Sequence, residues 1–247
     1  MGMTRKSTLW IVALFMTSPG SALATYQRLY QGYLLPTVDP ASFEKSFNQN
    51  FLPLFVEAHP QGLTNYRPAL SAPRKDCALP AEIALLTFAS EESYAKYRET
   101  EIGKRIRAAH EPIFDGKASK SLVPEPWMGT AKPGYAYETS PHLRGFVPTS
   151  AALVIHCGAR ADPASLTATI RRSHEKPSGI RDVIFALEAD HMIEYVFFDR
   201  PETAQSAFQK RKKLLSGAYR HSVLIPLEKA KIGAKQVRPG KGLEAVW

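Results

Sequence analysis

The chain of 247 residues is 44% hydrophobic and 22% charged, the composition of a folded globular protein, which excludes the disordered and collagen-like classes. Its length suits two modest domains of about 100–150 residues each. A formal net charge of +9 raises the question of an anionic partner, and the charge is localised: residues 200–247 carry 11 lysines and arginines against 3 acids, whereas residues 25–199 carry 19 against 20.

Arg5 and Lys6, the apolar run from Leu9 to Met16, the helix-breaking Ser18-Pro19-Gly20 and Ala22-Leu23-Ala24 are the four parts of a secretory signal peptide over residues 1–24. Cleavage is expected before Thr25. The apolar run falls well short of the ~20 residues that span a bilayer, and no later segment qualifies. The chain is therefore expected to be exported, to the periplasm of a Gram-negative host or otherwise secreted. Cys77 and Cys157 can pair in such an oxidising compartment, and the pairing would tie the two halves together; the alternative is two buried thiols. No C-x-x-C motif is present, which argues against thioredoxin-type chemistry.

Taken in order, Leu29 to Leu35 reads as a strand. Asp39-Pro40 then supplies a helix cap and a proline at the first helical position. The helix that follows carries Phe43, Phe47, Phe51 and Phe55 at i+4 spacing, with Pro53 a source of kinking. Gly62 to Leu70 and Ile83 to Phe88 are strands, Ser90 opens a second helix with Tyr94, Tyr97, Ile102, Ile106, Ala109 and Ile113 on one face, and Ser121 to Val123 is a fourth strand. Residues 129–148 are rich in proline and glycine without periodicity and read as a linker lying against the domains. In the second half, Asp39-Pro40-Ala41-Ser42 recurs as Asp162-Pro163-Ala164-Ser165. There the strand Ala151 to Cys157, a helix from Asp162-Pro163, the strands Val183 to Leu187 and Ile193 to Phe198, a helix from Pro201 and the strand Ser222 to Leu227 repeat the first order. Residues 25–128 and 149–228 are thus two β-α-β-β-α-β units of the ferredoxin-like kind, an α+β fold, with a basic tail at 229–247.

This order, and above all the Asp-Pro-started helix followed by a hairpin, resembles the dimeric α+β barrel superfamily. That resemblance implies two units packed sheet against sheet, here as a tandem pseudo-dimeric barrel within one chain. It carries no catalytic motif, so it transfers no site residues.

The strong chemical motifs are absent: there is no H-E-x-x-H, no G-x-S-x-G elbow, no G-x-G-x-x-G and no phosphate-cradling loop. No cofactor and no metal site are expected. Tyr66, Tyr94, Tyr97 and His110 form a polar-tipped aromatic set that could line a pocket or orient a small acid. His156 beside Cys157, with His191 in the hairpin region, is weighed as a metal or thiolate site and set aside, because adjacent strand residues point to opposite faces. Lys210, Arg211, Lys212 and Lys213 form a run at a helix end that suits an anionic surface or an envelope protein. Nucleic acid is disfavoured as partner in an exported chain whose tail lacks an aromatic stripe. The leading expectation is a non-catalytic periplasmic binding or interaction protein. One alternative is a metal-independent small-molecule enzyme of the α+β barrel type, for which an enclosed cavity with convergent polar groups would speak and solid packing between the sheets would not. Another is an accessory component of an envelope or secretion assembly.

Overall fold

The computed structural model describes residues 25–75, 77–140, 150–159, 163–174, 179–198, 200, 203–229 and 241–246. Residues 1–24, expected to be a signal peptide, lie outside them, and so does Asp162 of the second repeat. The first unit begins with β1 (Tyr26–Gly32) and a helical arm made of α1 (Pro40–Ser46), a π-helical turn (Phe47–Phe51) and α2 (Leu52–Ala58). Asp39 caps the arm, its Oδ2 accepting from the Ser42 amide at 2.8 Å, and Pro40 stands where no intrahelical N–H is needed. An i+4 repeat outruns the 3.6-residue turn of an α-helix, so four phenylalanines at that spacing would wind off one face. The wider π turn takes up the surplus and also sits where Pro53 leaves a carbonyl without its amide. Phe43, Phe47, Phe51 and Phe55 therefore stack in succession, with ring centroids 5.8, 5.3 and 5.2 Å apart.

The unit continues through β2 (Leu63–Leu70), β3 (Glu82–Phe88), α3 (Glu91–Glu99), α4 (Glu101–His110) and β4 (Lys120–Leu122). The single helix expected after Ser90 is two. Thr100 is extended (φ −67°, ψ 156°) and its hydroxyl accepts from the Gly103 amide at 3.1 Å, so it ends one helix and caps the next. Gly103 is what permits the joint, since a Cβ there would clash with the Tyr97 carbonyl oxygen.

The stretch read as a linker contains structure. β5 (Glu125–Pro126) and β6 (Tyr135–Glu138) extend the sheet, and β6 pairs with β8 (Ile180–Leu187). Four residues of strand are too few to show alternation against so many prolines, and Pro126 is tolerated because it stands in an edge strand. The second unit comprises β7 (Ser150–Ala159), α5 (Pro163–His174), β8, β9 (His191–Phe198), α6 (Thr203–Leu215) and β10 (Tyr219–Lys229). The tail is also more than a basic surface segment: β11 (Gly242–Val246) runs parallel to β10 and antiparallel to β2. The basic residues of the tail that drew attention precede this strand. Its Glu244 is neutralised by Arg67, 2.8 Å away and buried with it.

Strand order is β4-β1-β3-β2 in the first unit and β10-β7-β9-β8 in the second, the same ferredoxin-like arrangement twice, joined through β11 into one 11-stranded sheet. The fold is α+β, two tandem units packed as a pseudo-dimeric barrel. Period-2 alternation gives each sheet two apolar faces. The inner faces meet: Leu29, Ile83 and Leu85 pack with Leu153, Ile155, Ile184 and Ile193. Tyr195 crosses this layer, its hydroxyl donating to the carbonyls of Arg67 (2.7 Å) and Ile83 (3.0 Å). The outer faces are covered by helices. At one end of the barrel Cys77 and Cys157 form a disulfide with Cα atoms 5.7 Å apart. Its closure over 80 residues stabilises by about 4–5 kcal/mol in the chain-entropy treatment. Among the described residues no helix is long and apolar enough to cross a membrane.

Candidate functional site

The space between the sheets, where the enzyme alternative required an enclosed cavity, is filled with apolar side chains, so that alternative fails in the form expected and only a pocket elsewhere in the fold can carry it. A cavity of about 330 Å³ lies instead on the other face of the first sheet, between β1–β3 and the helices. Tyr66, Tyr94, Tyr97 and His110 all line it, so the structure brings the four sequence candidates together. Another cavity, about 470 Å³ beside Tyr33, Phe43, Glu44 and Leu79, offers only partly buried titratable groups.

The pocket is built by register. Along β3, alternation turns Glu82, Ala84, Leu86 and Phe88 toward the helices, while Ile83 and Leu85 turn into the barrel. Tyr66 of β2 pairs with Leu86 and reaches along the sheet so that its hydroxyl donates to Glu82 Oε1 at 3.1 Å. Its ring stacks on Phe55 at 4.4 Å. His110, the last residue of α4, packs against Phe51 at 4.4 Å and places Nε2 3.9 Å from Glu82 Oε2.

The electrostatics are unusual. Glu82 is 1% exposed, and burial raises its carboxyl to about 8, with the Tyr66 hydrogen bond pulling the other way. A helix C-terminus favours a histidine cation, yet burial lowers His110 to about 4 despite a hydrogen bond to the Ile106 carbonyl. Near neutral pH the pair is thus a carboxylic acid facing a neutral imidazole. Burial also raises the Tyr66 and Tyr97 phenols, so neither is ionised there. Glu82 Oε2 and His110 Nε2 are both buried without a hydrogen-bond partner, although a buried polar atom normally has one. The arrangement can donate a proton from the glutamic acid and accept one at the imidazole. Arg28, Arg98 and Arg107 line the outer end: Arg28 pairs with Leu86, four residues along β3 from Glu82, and Arg98 and Arg107 are exposed.

The sequence reading missed Glu82 and the arginines. Glu82 was placed just outside its strand, although the alternation from Glu82 to Phe88 would have set it on the helix-facing side.

The other candidates fall elsewhere. His156 is fully buried, its Nδ1 2.8 Å from Ser222 Oγ and its Nε2 2.9 Å from Glu194 Oε2. Arg211 is buried too and forms an ion pair with Glu194, so reading it as part of an anion-binding surface is corrected. One turn of α6 points this guanidinium at the sheet while Lys210, Lys212 and Lys213 face outward. Cys77, Asp190 and His191 have donor atoms within 4.8 Å of one another, but the Cys77 sulfur is bound to Cys157.

A scan of protein-family models finds no match to this chain, and a search of curated protein sequences finds none. Solved structures do match in architecture. A candidate monooxygenase from Fusobacterium nucleatum aligns over 82% of this chain and 91% of its own at 8% identity, with a TM-score of 0.42. An anthrone oxidase-like protein aligns over 81% and 89% at 11% identity, TM-score 0.37. A variant chlorite dismutase from Candidatus Nitrospira defluvii aligns over 81% and 90% at 11% identity, TM-score 0.33. These are dimeric α+β barrel proteins, and the likeness is one of fold. The expectation of a non-catalytic binding or interaction protein is corrected, since the matched proteins are described as a monooxygenase, an anthrone oxidase-like protein and a chlorite dismutase. What a site in this chain does rests on its own residues.

Proposed function

We propose that the chain is a small-molecule enzyme whose active site is the sheet–helix pocket of the first unit, and that it moves a proton to or from a small, largely apolar molecule held there. One observation carries this reading: Glu82 Oε2 and His110 Nε2 face one cavity, both buried, both without a hydrogen-bond partner. Buried unpartnered polar groups cost about 1–3 kcal/mol each, a cost that a ligand would offset. His110 Nε2 serves as the base, because the ring is neutral at working pH. Glu82 serves as the acid, because burial keeps its proton on. Tyr66 fixes the carboxyl by holding Oε1, which leaves Oε2 for the substrate.

The test is deuterium incorporation into a panel of small aromatic molecules incubated in deuterium oxide, read by mass spectrometry, in the wild type and in His110→Ala and Glu82→Gln. Each substitution should lower turnover about 10²–10⁴-fold, the usual worth of a positioned acid or base. Full turnover in both variants would contradict the proposal.

We further propose that residues 1–24 are removed on export and that the two units arose by tandem duplication. The start of β1 at Tyr26, one residue after the expected cleavage site, supports the first. The repeated strand order supports the second. The intact mass of the exported protein should correspond to a chain beginning at Thr25; a retained leader would refute the export assignment.

A further inference from the structure

The outer end of the pocket extends this reading to a ligand class, and the inference rests on the pocket being the active site. Three guanidinium groups line the mouth. Arg28 lies over the Tyr94 ring with its guanidinium carbon 4.9 Å from the ring centroid, and Arg98 approaches the same ring at 6.0 Å. Arg28 donates to Tyr26 Oη, Ser121 Oγ and the Ser121 carbonyl, and Arg107 donates to the Arg98 carbonyl. All of these acceptors are neutral. Among the described residues none of the three has a carboxylate partner, and Glu82, the sole acid among the residues lining the pocket, holds its proton. Positive charge gathered without a counter-charge at the lip of an apolar cavity raises the local concentration of anions and favours one bound there.

The walls and the inner end add two requirements. Phe51, Phe55, Tyr66, Tyr94 and Tyr97 present ring faces and edges to the cavity, surfaces that suit a flat aromatic body. At the inner end, Glu82 offers a hydrogen and His110 Nε2 offers a lone pair. A hydroxyl oxygen meets both demands, accepting from the first and donating to the second. A volume of about 330 Å³ lies at the small end of ligand pockets and suits one or two fused rings.

We propose that the pocket takes a planar aromatic acid carrying a hydroxyl at its far end, the anionic group held by Arg28, Arg98 and Arg107 and the hydroxyl seated between Glu82 and His110. Each end is read by different side chains, so the two can be tested separately. The probes are 6-hydroxy-2-naphthoate, 2-naphthoate and 2-naphthol, titrated by fluorescence into the full-length mature protein near pH 7. The hydroxynaphthoate should bind at least about tenfold more tightly than 2-naphthol, about what a charge-assisted contact supplies. That advantage should fall in Arg98→Gln/Arg107→Gln, whose altered side chains are both exposed and which leaves Arg28 in place, and it should shrink with added salt. It should also bind more tightly than 2-naphthoate, and Glu82→Gln/His110→Phe should erase that difference alone. Ala84→Phe, which fills the cavity, should abolish binding of all three; if that variant fails to fold, Leu86→Trp at the outer end replaces it.

Equal binding of 2-naphthol and the acids, unchanged by the arginine substitutions, would overturn the acid class and leave the pocket assignment standing. Binding of none of the three to the wild type, or binding that survives a folded cavity-filling variant, would overturn both.

Discussion

Glu82 and His110 make opposite demands on pH, and the signs follow from their shifts. The folded-state value of Glu82, about 8, lies above its ordinary 4.5. The unfolded chain therefore binds fewer protons in that interval, and stability falls as pH rises from 4.5 through 8. The folded-state value of His110, about 4, lies below its ordinary 6.5, so stability falls as pH drops from 6.5 through 4. Between 4.5 and 6.5 the two slopes oppose each other, and above 6.5 only the glutamate acts. Glu82→Gln keeps the hydrogen-bonding shape without the charge, so its melting temperature should exceed that of the wild type increasingly from pH 6.5 to 8 and converge with it near pH 5. Thermal melts across this range check it; parallel curves for the two proteins would show that Glu82 ionises normally in the fold. Tyr94 and Tyr97 were legible in the sequence because aromatic residues at helical spacing announce a shared face, and Tyr66 on a strand and His110 on the next helix joined them only as polar-tipped rings nearby. Glu82 was not, since one acid at the head of an apolar strand looks like a boundary until the facing helices show what it is buried against.

Elements were legible where periodicity was long and capped. The Asp39-Pro40 start, the Ser90 cap and the hairpin between β8 and β9 all follow local chemistry that the fold preserves. Misjudged elements were those defined by distant partners. The break at Thr100 depends on a close approach between Gly103 and the Tyr97 carbonyl, β6 depends on β8, and β11 depends on having β10 and β2 on either side. β11 also carries a buried charge pair that local sequence cannot reveal, Arg67 with Glu244. Removing one partner should be far worse than removing both. Glu244→Ala should cost about 3–5 kcal/mol by urea denaturation, while Arg67→Met/Glu244→Leu should recover much of that. A Glu244→Ala loss below ~1 kcal/mol would mean that β11 is not docked as described.

At the scale of the whole molecule, each of the two units has its own sheet–helix layer, and the two layers differ. In the second unit β9 carries Glu194 at the position corresponding to Ala84 of β3, by the pairing of each strand with its neighbour. There, Glu194 is tied up by Arg211 and His156. In the first unit the small Ala84 helps leave a cavity open, and two of the polar atoms there, Glu82 Oε2 and His110 Nε2, lack hydrogen-bond partners. The barrel interior, joined by the disulfide and by Tyr195, is the rigid frame on which the first layer is mounted. The most direct test is the nitrogen-15 spectrum of the His110 imidazole, assigned by comparison with a His110 variant and followed as 6-hydroxy-2-naphthoate is added near pH 7. A neutral ring whose Nε2 shifts to a hydrogen-bonded position at saturation is the result predicted. A ring that is charged at that pH, or whose Nε2 signal is unmoved while the ligand is bound, would contradict the assignment of this pocket as the place where chemistry occurs.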